Sequence, residues 1–326
     1  MSLTEEQVKQ GSSVLNRIMD NIETVIIGKR EAVELVTLAM VSNGHVLVED
    51  VPGVGKTSLI TSLAKTIDCG FSRIQFTPDI MPSDVTGFSI FNQKDRDFEF
   101  RPGAVMSNVI LADEINRASA KTQSALLEVM EERQATVDGK TYPMQEPFMV
   151  LATQNPLESY GTYPLPEAQI DRFLIKISIG YPSFEQEAKV VKMGKASKQA
   201  IRPVVKGQDI LDVRGLAEQV FVHDMIIDYI VQIVTTTRNF ADIQIGASPR
   251  GCIALYNLAK SWALYQGRNF VQPDDVKYLA PYVLCHRITL MQEAKIDGKT
   301  PQRVMGEILG SIAVPTNEKN YQPIQG

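Results

Sequence analysis

From Val8 onward the apolar residues Val8, Val14, Leu15, Ile18, Met19 and Ile22 recur close to the helical period, and Thr4 with Gln7 forms a capping box before them. The pattern predicts a first helix near 4–22. Helical spacing resumes through Ala32, Val33, Val36, Ala39 and Met40, and Asn43-Gly44 stops it. The short stretch HVLVE then predicts a strand running straight into a glycine-containing loop.

Beyond the loop the pattern alternates as a mostly parallel sheet requires: a helix from about Lys56, strands at FSRIQF and NVILAD, a helix near 119–132, and strands at FMVLAT and FLIKISI. This order predicts a three-layer α/β nucleotide-binding core. Residues 88–103 and 134–145 interrupt it, each as a hairpin, the second turning at Asp138-Gly139. After residues 180–183 the strand signals stop. Helices are predicted at about 184–198, 209–219, 224–239, 249–265, 273–292 and 302–313. Ser183 with Gln186 makes a capping box, and Pro249 and Pro273 sit at first helical turns. The expected division is therefore an α/β core over 1–181 carrying both hairpins, a helical domain over 182–314, and a loose tail over 315–326.

Composition changes this picture little. The chain has 326 residues, 44% hydrophobic and 22% charged, enough for two cores. A net charge of −5 offers no general field for nucleic acid. The three cysteines, Cys69, Cys252 and Cys285, are far apart and lack metal or disulfide spacing, so they read as core residues. His45, His223 and His286 are likewise scattered, and Trp262 reads as core beside Leu258 and Leu264. No stretch suits a membrane span, and MSLTEEQVKQ lacks the basic and apolar regions of a signal peptide, which makes the cytoplasm the expected location.

The loop after the first strand, DVPGVGKT, fits G-x-x-x-x-G-K-[ST] except that Asp50 replaces the first glycine. Pro52, Gly53, Val54, Gly55, Lys56, Thr57 and Ser58 are the candidate phosphate-binding residues, with Lys56 reaching the β- and γ-phosphates and the Thr57 hydroxyl on Mg²⁺. Like charges about 4 Å apart cost about 4 kcal/mol at an effective dielectric of 20, so the Asp50 carboxylate is expected to face away from phosphate. Asp113 emerges at the carboxyl end of NVILAD as a candidate Mg²⁺ ligand, and Glu114 beside it as the group that polarises the attacking water. Asn155, after the next strand, stands where an amide orients that water.

The segments EDVPGVGKT, QFTPDIMPSDVTG, LADEINRASAKTQSALLEVMEERQ, LATQNPLESYGTYPLPEAQIDRF and GASPRG resemble, in order and over about residues 25–260, the MoxR family of AAA+ ATPases. The resemblance implies a P-loop core with a parallel sheet followed by an all-α lid. It also implies the acidic loop start and both inserted hairpins. By this similarity Asn155 matches the first sensor, Arg172 the arginine finger offered to a neighbouring subunit, and Arg250 the second sensor on the lid. Arg117 is a rival intersubunit arginine, while Arg172 has the plainer alternative of pairing with a nearby acid and Arg250 of a surface place at a helix start. Ile26, Ile27 and Gly28 match the adenine-facing segment, or pack as a plain linker. Phe88, Phe91, Phe98 and Phe100 on the first hairpin suit either a partner contact or local packing.

Together these readings imply a Mg²⁺-dependent ATPase forming a homo-oligomeric ring, a hexamer, with ATP bound between subunits. Its expected use is chaperone-like remodelling in protein complex assembly or cofactor insertion. A protein client and a partner with a von Willebrand A domain, which is expected to be a separate chain, complete the picture. The alternative is a DNA-acting AAA+ motor or helicase subunit, against which the acidic balance counts.

Overall fold

The computed structural model describes residues 3–156, 161–193 and 201–315. In chain order the elements are α1 (Glu5–Glu23), α2 (Arg30–Val41), β1 (Val46–Glu49), α3 (Lys56–Thr66), β2 (Phe71–Gln75), α4 (Pro82–Thr86), β3 (Gly87–Asn92), β4 (Asp97–Pro102), β5 (Val109–Asp113), a 3-10 turn (Ile115–Arg117), α5 (Ala120–Glu132), β6 (Gln134–Val137), β7 (Lys140–Pro143) and β8 (Met149–Gln154). There follow α6 (Glu167–Ile170), β9 (Ile175–Ile177), α7 (Phe184–Met193), α8 (Gly207–Glu218), α9 (Asp224–Asn239), β10 (Ile243–Ile245), α10 (Pro249–Tyr265), α11 (Pro273–Leu284), a second 3-10 turn (Cys285–Arg287), β11 (Thr289–Leu290), α12 (Gln292–Ile296) and α13 (Pro301–Ser311).

Contacts divide the chain into an α/β unit, 17–173 with 177–211, and a helical unit drawn from 1–16, 174–176 and 212–326. The first sixteen residues thus cluster with the helical unit, whereas the sequence assigns them to the core. Ser12 explains part of this, donating from its hydroxyl to the Tyr265 carbonyl at 2.8 Å, while Gly11 lies against Leu264 and Leu216.

The α/β unit is built on a five-stranded sheet in the order β2-β5-β8-β1-β9, with parallel pairing of β2 with β5, β5 with β8 and β8 with β1. Val109, Ile110, Leu111 and Ala112 of β5 are all buried, as a strand covered on both faces requires. Phe76, Phe148, Phe173, Leu126 and Val150 fill one core cluster of this unit. Both expected hairpins form, β3 with β4 and β6 with β7, the second turning at Asp138-Gly139 as its residues predict. Phe100 of the first stacks on Tyr142 of the second, with centroids 3.9 Å apart. Phe91 and Phe98 meet edge to face and stay largely exposed, at 55% and 64%.

In the helical unit α10 packs on α11 and α9. Trp262 is only half-buried, set between Tyr265 and Tyr278, so it is a flank of the core and not its centre. The unit is not purely helical, since β10 and β11 pair antiparallel. The helix expected over 273–292 ends at Leu284 for the same reason. Leu284 and Ile288 keep helical spacing, but Ile288 and Leu290 are buried at the ribbon, and the chain turns through Cys285–Arg287 to reach it. Arg287, buried in that turn, donates to the Leu174 carbonyl at 3.1 Å. The helix expected over 184–198 is seen as α7, and 194–200 lie outside the described residues, as does the tail from 316. All three cysteines are free thiols. Burial pushes Cys69 up to about 11 and Cys285 up to about 12, so both stay protonated and unreactive near neutral pH.

Candidate active site

The register of the sheet brings the expected chemistry to one edge. Glu49 is level with Gln154, and Gln75 with Asp113, so the segments after β1, β5 and β8 all leave the sheet at its carboxyl edge, where α/β folds bind ligands. The loop after β1 leads to the N-terminus of α3 at Lys56, whose first backbone N–H groups have no acceptor within the helix. Gly53 and Gly55 have φ of +90° and +96°, a region costly for other residues, and a Cβ on either would project into open space. The Lys56 ammonium reaches the carbonyls of Asp50 at 3.0 Å and Val51 at 3.4 Å. A positively ended helix, a left-handed glycine loop and one ammonium at its foot suit a polyphosphate.

Asp50 faces away from this loop. Its buried carboxylate accepts from the Ser178 hydroxyl at 2.9 Å and from the backbone N–H groups of Ile179 and Gly180. The strand expected at FLIKISI is consequently shorter. Its last N–H groups bond a carboxylate in place of a neighbouring strand, and the ladder ends at Ile177.

Asp113 and Glu114 are held by Thr153, Arg73 and Gln75, which the sequence does not mark out, and by Arg117, which it marks for another role. The Thr153 hydroxyl donates to Asp113 Oδ1 at 2.7 Å and accepts the Glu114 N–H at 2.8 Å. Arg73 Nη2 sits 2.7 Å from Asp113 Oδ2. Glu114 Oε2 accepts from Gln75 Nε2 at 3.0 Å and pairs with Arg117 Nε at 2.9 Å. Glu114 itself is left-handed, with φ of +57°, which for a non-glycine residue costs about 1–3 kcal/mol and persists only where neighbours enforce it. Asn155 follows β8 and is buried.

Thr57 and Asp113 offer hard oxygen donors of the type Mg²⁺ prefers. Among the described residues no group of three or more His, Cys, Asp or Glu could hold a metal, so phosphate and water oxygens would complete its shell.

The remaining candidates lie elsewhere. The Gly28 carbonyl accepts from Gln186 Nε2 of α7 at 3.3 Å, Ile26 is buried, and Ile27 is partly so. Arg172 pairs through Nη2 with Glu131 Oε2 at 2.9 Å. Glu131 is in the last turn of α5, about 16 Å along the helix from the end near Glu114. Arg250 is exposed in the first turn of α10, in the helical unit, with its N–H capped by the Ser248 hydroxyl at 3.2 Å.

Residues 45–175 match the family described as ATPase family associated with various cellular activities (AAA), and residues 235–308 match the AAA lid domain. The chain is 50% identical to the uncharacterized protein YeaC of Bacillus subtilis, over 93% of this chain and 95% of that one. It is 43% identical to Chaperone MoxR1 of Mycobacterium tuberculosis, over 96% of this chain and 85% of that one. A crystal structure from Cytophaga hutchinsonii, described as a candidate ATPase, superposes with a TM-score of 0.89 at 39% identity, covering 96% of this chain and 98% of that one.

Proposed function

Because this chain belongs to the MoxR family of AAA+ ATPases, we propose that it hydrolyses ATP with Mg²⁺ at sites shared between subunits of a homo-oligomeric ring, a hexamer, and uses the cycle to remodel a protein client. Lys56 binds the β- and γ-phosphates. Thr57 and Asp113 hold the metal, Glu114 polarises the attacking water, and Asn155 orients it. Pro52, Gly53, Val54, Gly55 and Ser58 line the phosphates, and Ile27 with Gly28 faces the base. Arg250 answers to the nucleotide from the lid.

The observation that carries this reading is the convergence of Lys56, Asp113 and Glu114 at one sheet edge. The pairing of Arg172 with Glu131 is the plainer alternative for that residue, and its part as a finger toward a neighbour rests on the family resemblance. The name of the mycobacterial relative, Chaperone MoxR1, supports a chaperone-like role; complex assembly or cofactor insertion as its use, and a von Willebrand A domain protein as the partner class, are part of the proposal. A DNA motor is not favoured, given relatives of this kind and a net charge of −5.

Mixing separates the reading from its rivals. Lys56→Ala should not bind ATP, and Arg172→Ala should bind without turning over. Mixed chains that exchange subunits should recover part of the ATPase, since the binding-dead subunit still carries a normal Arg172. Exchange without recovery would move the intersubunit role to Arg117 or leave Arg172 a structural role through its pair with Glu131.

A further inference from the structure

Gln123 lies in the first turns of α5 with about 1% of its surface exposed, and its amide nitrogen meets three backbone carbonyls: Ile115 at 3.1 Å, Ala118 at 3.2 Å and Tyr163 at 2.8 Å. The three acceptors fix which end of the amide is nitrogen, because an oxygen there would face only other oxygens. Two of the carbonyls belong to the turn that follows Glu114. The third belongs to the segment between Asn155 and Arg172. The same junction is closed a second time by the Tyr163 N–H, which donates to the Asn116 carbonyl at 2.6 Å.

Glu114 therefore sits between two clamps. Thr153 fastens its own N–H, and Gln123 fastens the carbonyl of the next residue. Between them the backbone is left-handed, a conformation that relaxes unless both sides are held. We propose that Gln123 is a positioning residue for ATP hydrolysis, which fixes the Glu114 turn against the chain leaving the Asn155 strand and so sets where the Glu114 carboxylate meets the attacking water. The proposal rests on the reading of Glu114 as the water-polarising group.

Gln123→Met keeps side-chain length and helical preference while removing the donors. ATP affinity and KM should stay within about threefold of the parent protein and kcat should fall by about tenfold or more, the pattern of an interaction needed only in the transition state. The carbonyls left unpaired should lower thermal stability in either case; a merely structural role would lower ATP affinity in step with kcat, and that result, or an unchanged kcat, overturns the proposal. Single-turnover phosphate release in a Glu114→Gln background adds the coupling test. Gln123→Met should have little further effect there, and a full multiplicative loss also overturns it. Turnover by Glu114→Gln alone at the parent rate would instead defeat the reading of Glu114, a separately visible result. Should Gln123→Met fail to fold, Gln123→Glu serves, since a buried carboxyl donates to these carbonyls only when protonated. Its kcat relative to the parent should rise as pH falls, and a ratio flat with pH overturns the proposal.

Discussion

Thr153 shows what one side chain can decide and why a sequence conceals it. Its hydroxyl is fully buried, donates to Asp113 and accepts from the Glu114 N–H, so a single oxygen orients both acidic residues. A β-branched residue inside an apolar strand reads as packing, and nothing in LATQNP distinguishes this threonine from a valine. Thr153→Val should keep ATP binding, lower kcat by about tenfold or more, and cost about 1–3 kcal/mol of stability through the two groups left unpaired. Thr153→Ser should restore most of the turnover. Steady-state kinetics with a thermal melt check both, and a valine variant with unchanged kcat would deny the hydroxyl any part in the site. Arg73 and Gln75 were hidden in the same way, since polar side chains on the outermost strand pass for a solvated edge. Lys56, Thr57, Asp113 and Glu114 were legible because their chemistry demands fixed spacing from glycines and strand ends. On that reading Lys56→Ala should abolish equilibrium ATP binding, while Glu114→Gln should bind normally and lose turnover.

At the scale of elements, the phosphate loop is tied to the chain that leaves the sheet after β9 through Asp50. Its carboxylate takes the Ser178 hydroxyl and two consecutive backbone N–H groups, and this explains an acid where the usual loop begins with glycine. The direction of the carboxylate followed from charge repulsion, but its partners lie 128 and more residues away and no local pattern reveals them. The same long-range bonding shortened β9, and the β10–β11 ribbon cut the helix expected over 273–292, because periodicity at Leu284 and Ile288 is shared by both conformations. Asp50→Asn should leave the Mg²⁺ dependence of hydrolysis nearly unchanged while lowering stability by about 1–3 kcal/mol, since an amide presents a donor to N–H groups that need an acceptor. A Mg²⁺ titration of the ATPase is the check. A large rise in the requirement would make Asp50 part of the metal site.

For the whole molecule, the order of strands and helices announced an α/β core followed by a helical region, because the change of hydrophobic period is written locally. Which unit claims residues 1–16 was not legible, since an amphipathic helix records that one face is buried but not against what. How the fold answers acid is likewise set by a contact across layers. His45 precedes β1, accepts the Val150 N–H of β8 at Nδ1 and donates from Nε2 to the Met130 carbonyl of α5, both at 3.0 Å. Protonating Nδ1 would set its new hydrogen against the Val150 N–H. Burial and the nearby Arg133 lower the pKa to about 3 from 6.5. The unfolded chain therefore binds a proton between pH 6.5 and 3 that the folded chain refuses, so this histidine's contribution to stability is complete above pH 6.5 and declines as pH falls toward 3. Between pH 7.5 and 5 the loss is about 2 kcal/mol at 1.36 kcal/mol per unit. His45→Gln should be less stable than the parent at pH 7.5, having lost the fitted ring, yet should lose about 2 kcal/mol less than the parent on going to pH 5. Urea unfolding of both proteins at the two pH values measures it. Equal losses would mean that the imidazole takes up its proton without disturbing the fold and that the acid response originates in other groups.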